Sequence, residues 1–345
     1  MFLNLCWLLV AVAYQAEGRV DKDFTKCSQA FYNNTMPVGF EGIATPHDFK
    51  EIPDGITTIS DLKSPAYICQ TLGGNSYYAT LYDRGRRIPL YSAYILDRNS
   101  IDPKPNCTRT STFKLEPQLI YRNLTENMQS SKDTGQSIAN YSKENIILLN
   151  ISKNKPDNLM KASQAVDYDY GSKTDPNKPT TATKYTRGHL NPCGHHKEKE
   201  NFLSTFTLTN VVPMVAELNN GEWSKYETEM ISISAGCDKM YVVTGAVPGN
   251  NKLNDRVTIP SYVWNAYCCV DGFSEPIKSG GAIAANDKAL ITDNKFKVVK
   301  MELSDLQDEL KKHLGISNNI EFEIFQQCKE WRTVGDHHEY SFPEE

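Results

Sequence analysis

Apolar and polar positions alternate most clearly in two stretches of the chain. Residues 77–96 contain two runs rich in aromatic and β-branched residues, separated by a polar turn that contains Gly85. This arrangement predicts a β-hairpin, and Pro89 places its strand at a sheet edge or at a strand start. Regular apolar patterns resume after residue 203. They predict, in this order, strand 204–212, helix 215–233, and strands 240–247, 257–270 and 282–285.

The last patterned segment predicts an amphipathic helix that packs on the core. Ser304 is the predicted N-cap and Gly315 the stop. Residues 19–74 are rich in Pro, Gly and Asp and are expected to wrap a core made elsewhere, while residues 97–185 are expected to form surface loops with short elements. The pattern as a whole predicts an α+β fold with a mostly antiparallel central sheet and flanking helices. The leucines of the last helix share one face: Leu303, Leu306, Leu310 and Leu314.

Composition supports a globular chain and excludes disordered, collagenous and fibrous proteins. Of 345 residues, 39% are hydrophobic and 23% charged, and the net charge is −5. Bulk charge therefore does not favour nucleic-acid binding, which has to rest on local residues. Residues 151–190 carry a local excess of basic side chains. This excess indicates either a phosphate-binding patch or a solvated charged loop, and both interpretations stay open.

The N-terminus predicts secretion. Residues 1–18 have the features of a signal peptide, because the apolar stretch 5–13 is too short to span a bilayer and the small residues Ala16 and Gly18 follow it. Eight cysteines remain after this segment, an even number that predicts disulfides of open connectivity. The expected location is extracellular. Five N-glycosylation sequons agree with it: Asn33, Asn106, Asn123, Asn140 and Asn150.

The candidate chemistry begins in the segment 185–192, Tyr-Thr-Arg-Gly-His-Leu-Asn-Pro, and continues with Thr-Asn-Val-Val-Pro at 209–213 and Leu-Asn-Asn-Gly-Glu-Trp at 218–223. In order and spacing these segments resemble the DNA/RNA non-specific endonuclease family of the ββα-metal type. Within it the chain is similar to the secreted endonuclease domain-containing 1 group. The resemblance covers most of residues 75–330, which we take as one endonuclease-like domain followed by a C-terminal tail, 331–345. It implies a secreted endonuclease that hydrolyses phosphodiester bonds of DNA, RNA or both with low sequence specificity.

Phosphodiester hydrolysis explains why these residue types are needed. It requires a base for the attacking water and a cation for the developing charge. His189 is suited to be the base, and Arg187 to grip the phosphate with its forked guanidinium. Asn219 offers a neutral carbonyl oxygen to Mg²⁺, which keeps several waters and can be replaced by Mn²⁺. Glu227 is the candidate for ordering those waters and Asn210 for a supporting contact. On one continuous helix Asn219 and Glu227 would lie about 80° apart and face one site.

Two departures from the family pattern keep a second hypothesis open. Thr186 occupies a position that is often aspartate in the family, and a second, upstream arginine has no secure counterpart, since Arg109 is displaced by about two positions. The alternative is a catalytically inactive extracellular binding protein on the nuclease scaffold. The expected partner is the nucleic-acid phosphate backbone, with no membrane association and no obligate protein partner.

The segment Cys193-Gly194-His195-His196 allows two interpretations. A structural zinc site would need a second Cys or His cluster, which the sequence does not provide. We therefore expect Cys193 to form a disulfide and both histidines to face solvent.

Overall fold

An eight-stranded antiparallel sheet forms the centre of the computed structural model, which describes residues 17–45, 64–72, 75–97, 112–144, 156–171 and 184–328. Its spatial order is β1-β2-β3-β4-β7-β8-β9-β10, and β5 and β6 form a separate antiparallel pair. The strands are β1 (Glu17–Asp21), β2 (Ala66–Leu72), β3 (Asn75–Asp83), β4 (Ile88–Ile95), β5 (Tyr185–His189), β6 (Val211–Val215), β7 (Lys239–Leu253), β8 (Val257–Val270), β9 (Pro276–Ala285) and β10 (Val299–Met301).

Helices and turns cover both faces of this sheet. Successive strand residues point to opposite faces, so Val242 packs into one hydrophobic cluster and Val243 into another. The first cluster includes residues of the β5–β6 pair, and the second includes residues of the N-terminal turns and the last helix. The helices in the described residues are α1 (Ser131–Glu144), α2 (Pro156–Ser163), α3 (Lys199–Ser204), α4 (Ala216–Asn219), α5 (Glu222–Ile233) and α6 (Leu303–Leu314).

The predicted fold class is confirmed, and so are the hairpin of β3 and β4 and the strands β7 and β8. Pro89 is the second residue of β4, an interior strand, so it occupies a strand start. The structure also places β1 and β2 in the main sheet, although residues 19–74 were expected only to wrap it. The turns at residues 25–43 do pack against the sheet, through buried Phe31 and Phe40.

The predicted strand 204–212 is wrong. Ser204 ends α3, a single helical turn follows at Leu208–Asn210, and the strand begins only at Val211. The polar residues that alternate with apolar ones here contact a residue distant in sequence. The Thr207 and Thr209 hydroxyls donate to one buried carboxyl oxygen of Glu116 at 2.9 and 3.2 Å, and this contact explains the alternation without a strand.

The predicted helix 215–233 is divided in two. Gly221 has φ −110° and ψ −111°, which is not helical, and a Cβ built there would lie 2.5 Å from the Glu217 carbonyl oxygen. The chain therefore turns between α4 and α5, and the angle of a continuous helix does not apply to Asn219 and Glu227. In α6 the N-cap is Glu302 and not Ser304, whereas Gly315 does end the helix in the left-handed conformation, with φ 67°.

Disulfides join both faces of the sheet to its surroundings. Cys237 is bonded to Cys269 and Cys328 to Cys268, so the neighbouring cysteines of β8 serve opposite faces. Cys27 is bonded to Cys69, which ties the N-terminal turns to β2. No helix in the described part of the chain is long and apolar enough to cross a membrane. The predicted signal peptide up to residue 16, the tail 331–345, Arg109, Asn106 and Asn150 lie outside the described residues.

Candidate active site

The β5–β6 pair positions the Arg-Gly-His motif. Arg187 lies opposite Pro213 and His189 opposite Val211. Gly188 is required by close packing, because a Cβ at this position would lie 2.6 Å from the Met214 Cβ. Because strand side chains alternate, Arg187 and His189 point to one face of the pair and Thr186 to the other.

Arg187 is held on three sides. Its Nη2 donates to Asp167 Oδ1 at 2.9 Å, and its guanidinium carbon lies 5.0 Å from the ring centre of Phe113 and 5.2 Å from that of Tyr170. Its Nε is buried and has no hydrogen-bond partner among the residues that the structure describes. A fixed, delocalised cation with donors still available is suited to bind a phosphate oxygen.

His189 lies among aromatic rings at the end of β5. Its ring centre is 5.4 Å from that of Phe113 and 5.3 Å from that of Phe206. The Nε2 atom is buried and finds no hydrogen-bond partner in the described part of the chain, although the residue as a whole is half-buried. Burial, and to a smaller extent the charge of Arg187, lower the pKa of His189 to about 4. The imidazole is therefore neutral at pH 7 and able to accept a proton.

Asn219, the last residue of α4, is oriented by the opposite face of β5. Its Nδ2 donates to Thr186 Oγ1 at 2.9 Å, and the Thr186 hydroxyl donates to the Met214 carbonyl oxygen at 3.3 Å. With the amide nitrogen bound in this way, the carbonyl oxygen of Asn219 is left as a neutral oxygen donor. Thr186 thus orients the Asn219 side chain by a hydrogen bond, without a charge.

Glu227 is anchored through its backbone. His195 Nε2 lies 2.8 Å from the Glu227 carbonyl oxygen, and His195 Nδ1 lies 2.9 Å from the Tyr94 hydroxyl. Because a carbonyl can only accept, Nε2 carries the proton and Nδ1 accepts from Tyr94. Burial raises the pKa of the Glu227 carboxyl to about 8, and the indole N–H of Trp223 opposes this rise.

Asn210 has a supporting position and all its side-chain groups are engaged. Its Oδ1 accepts from Ser92 Oγ and from the Asn191 N–H, both at 3.0 Å. Its Nδ2 donates to the carbonyl oxygens of Asn191 and Thr205 at 2.9 and 3.0 Å. The residue is fully buried, so it fixes the backbone that follows His189 and leaves no group for a substrate.

Glu116 is a buried carboxyl that the sequence did not identify. Besides the two threonine hydroxyls, Gln70 Nε2 donates to its Oε1 at 2.5 Å, while Oε2 is buried and has no partner within the described ranges. Burial raises the pKa of Glu116 to about 7, and the hydrogen bonds from Gln70, Thr207 and Thr209 oppose this rise. The alternating threonines were the one signal in the sequence that could have indicated a common buried partner.

The expectation for residues 193–196 was half right. Cys193 is disulfide-bonded, so it offers no thiolate to a metal. His195 and His196 do not face solvent, since both are buried and His196 Nε2 lies 2.7 Å from Asn191 Oδ1. Among the described residues no group of three or more His, Cys, Asp or Glu side chains could hold a metal ion.

The structure places three of the predicted site residues at strand β5, two on one face of the strand and one against the other face. Arg187 and His189 share the contact with Phe113, while Asn219 is joined to the same strand through Thr186. Within the described residues, no hydrogen bond joins the His189 side chain to Asn219 or Glu227. Of the basic residues in the segment 151–190, the described part of the chain includes only Lys161, Lys184 and Arg187.

Comparison with known proteins identifies the family and several relatives of this chain. Residues 57–321 match the family model described as DNA/RNA non-specific endonuclease. The human (Homo sapiens) Endonuclease domain-containing 1 protein is 26% identical over 269 residues, which are 76% of this chain and 43% of that protein. The mitochondrial nuclease EXOG of Xenopus laevis is 26% identical over 170 residues, 45% of each chain.

The chain therefore spans less than half the length of these two relatives. A chain in the crystal structure of the EndoG/EndoGI complex has a TM-score of 0.43 and 15% identity, over 76% of this chain and 91% of that one. Because the family model matches well over half of its residues, the chain belongs to the DNA/RNA non-specific endonuclease family.

Proposed function

We propose that this protein is a secreted, metal-dependent endonuclease that hydrolyses phosphodiester bonds of DNA, RNA or both with low sequence specificity. The observation that carries the proposal is the neutral, half-buried His189 beside Arg187. Family membership supports the reaction class, and the disulfides together with exposed sequon residues support secretion. The exposed sequon residues are Asn33, Asn123 and Asn140.

His189 acts as the general base in this proposal. A ring nitrogen takes a proton from the attacking water. A base with a pKa of about 4 is weak, but the negative charge of a bound phosphate opposes the effect of Arg187. Substrate binding therefore raises the pKa of His189 towards neutrality, where proton transfer is most effective.

The oxygen donors present fit a magnesium ion. Mg²⁺ prefers oxygen ligands and keeps several waters, so it needs few protein ligands. Asn219 would hold it through Oδ1, and Mn²⁺ could replace it. When bound, the ion supplies positive charge to the phosphate and the leaving oxygen. The Glu227 carboxylate orders the surrounding water, and a nearby cation favours its ionised form over the protonated form that burial favours.

Arg187 binds the scissile phosphate. Its contact with Asp167 and the two aromatic rings keeps the guanidinium in place before the substrate arrives. Such preorganised charge stabilises the transition state without reorganisation during the reaction. Contacts to the phosphate backbone are independent of sequence, which is what low specificity requires.

A cleavage assay tests the proposal. Glycoprotein purified from culture medium should degrade plasmid DNA or RNA with Mg²⁺, and EDTA should abolish the activity. His189→Ala should abolish it as well, while the matched control His313→Ala should not, because His313 stacks on Tyr262 from helix α6. Full activity in folded His189→Ala protein would refute the mechanism.

The second candidate, an inactive binding protein, is favoured by Thr186, which brings no charge to a position that is often aspartate in the family. It predicts that wild-type glycoprotein binds nucleic acid but shows no cleavage with any divalent metal. Cleavage that disappears with EDTA would exclude it.

A further inference from the structure

A tight helical turn beside Arg187 presents its side chains in three directions. The turn comprises Asp167–Tyr170, and in a 3-10 helix residues three apart share a face. Asp167 and Tyr170 accordingly both contact Arg187. Asp169 points into the protein and pairs with Arg256. The remaining residue, Tyr168, points outward and is 38% exposed.

The turn has a rigid base. Asp169 is fully buried, and its Oδ2 also accepts from the Val166 N–H at 2.8 Å. Arg256 contacts the Lys161 carbonyl oxygen in addition, and Arg87 Nε donates to that same oxygen at 2.9 Å. These bonds fix the end of α2 and the start of the turn. An exposed aromatic ring on such a backbone loses little conformational freedom when a ligand stacks on it.

A lysine accompanies the exposed ring. The Lys161 ammonium lies 5.1 Å from the ring centre of Tyr168, and the structure shows no ion pair for Lys161 within the described residues. An exposed ring beside a lysine ammonium is the combination that single-stranded nucleic acids bind, since bases stack on aromatic rings and phosphates pair with cations. Tyr168 is adjacent in the chain to Asp167, whose carboxylate touches Arg187.

We propose that Tyr168 and Lys161 form a nucleobase subsite next to the phosphate that Arg187 binds. The inference rests on the proposed function and adds a substrate class to it. A base stacks on Tyr168 only when it is unpaired, and extracting it from a duplex costs the free energy of unpairing and unstacking. The subsite therefore favours single-stranded substrates, or unpaired positions, over continuous duplex.

Equilibrium binding of the full-length glycoprotein in EDTA tests the subsite without turnover. The probes are a fluorescein-labelled thymidine oligonucleotide of about 12 nucleotides and a duplex of the same length. We expect Tyr168→Ala to weaken single-strand binding about tenfold and duplex binding less than about twofold. Tyr168→Phe should stay near wild type because it keeps the stacking ring. Lys161→Met should weaken binding to both probes and reduce the salt dependence by about one ion.

The matched control is Phe273→Ala, which removes an 88% exposed ring from the turn between β8 and β9 and should change neither affinity. The subsite is overturned if Tyr168→Ala weakens both probes equally or neither of them, or if wild-type protein fails to bind the single strand. A parallel assay with Mg²⁺ keeps the two proposals apart. Tyr168-dependent binding without any cleavage supports the subsite and refutes the endonuclease.

Discussion

Replacing Glu116 by glutamine should change how stability depends on pH. The folded protein holds this carboxyl with a pKa of about 7 against an ordinary value of 4.5, because burial disfavours the charge. Below pH 4.5 the group is protonated in both states. Between 4.5 and 7 the unfolded chain releases the proton while the folded protein keeps it, so stability falls as pH rises and levels off above 7. A difference of this size corresponds to about 3 kcal/mol.

The Glu116→Gln side chain keeps an oxygen for the donors of Gln70, Thr207 and Thr209 but cannot ionise. Its stability relative to wild type should therefore increase by about 3 kcal/mol between acidic and mildly basic pH. Urea unfolding of the disulfide-intact protein, followed by tryptophan fluorescence at several pH values, measures this difference. The exposed control Glu222→Gln should show no such increase. A Glu116→Gln difference that is the same at every pH would mean that the fold does not raise the pKa of this carboxyl.

Two predictions concern the candidate site. Asn219→Asp should raise Mg²⁺ affinity while lowering kcat about tenfold, because the added charge neutralises part of the cation and repels the phosphate. Calorimetric titration beside a cleavage assay checks it, and unchanged values of both would refute the ligand assignment. In saturating Mg²⁺, which favours the ionised form of Glu227, the pH profile of kcat/KM should fall on the acid side near pH 4, since neutral His189 is the active form. A fall centred near 6.5 would contradict the buried environment.

Local patterns in the sequence were enough to find the main strands and to name candidate site residues. The hairpin of β3 and β4 and the long strands β7 and β8 follow from alternation that each strand carries by itself. Arg187 and His189 could be named because the chemistry resides in their own side chains. The prediction of a strand at 204–212 was wrong because the polar positions there are not set by local structure. They are explained by hydrogen bonds to the Glu116 carboxyl, about 90 residues away in the sequence.

The partners of the site residues could not be predicted. Asp167 lies 20 positions before Arg187, and nothing in its surroundings distinguishes it from other acidic residues of that segment. The two histidines after Cys193 were assigned to solvent because polar residues near a loop usually are exposed. Their burial depends on Tyr94 and Asn191, which complete their hydrogen bonds. Tertiary packing determines which polar groups form hydrogen bonds with each other, and this pairing cannot be predicted from a single sequence.

Strand β4 connects the two supporting networks of the site. Ser92 and Tyr94 are two positions apart, so their side chains leave the same face of the strand. Ser92 binds Asn210, which fixes the backbone after His189, and Tyr94 binds His195, which fixes the backbone of Glu227. The proposed base and the proposed water-ordering carboxylate are thus tied to one interior strand, although the sequence places them 38 positions apart. Because buried, satisfied polar networks tolerate little displacement, this shared strand fixes the relative positions of the two groups more firmly than α4 or α5 could alone.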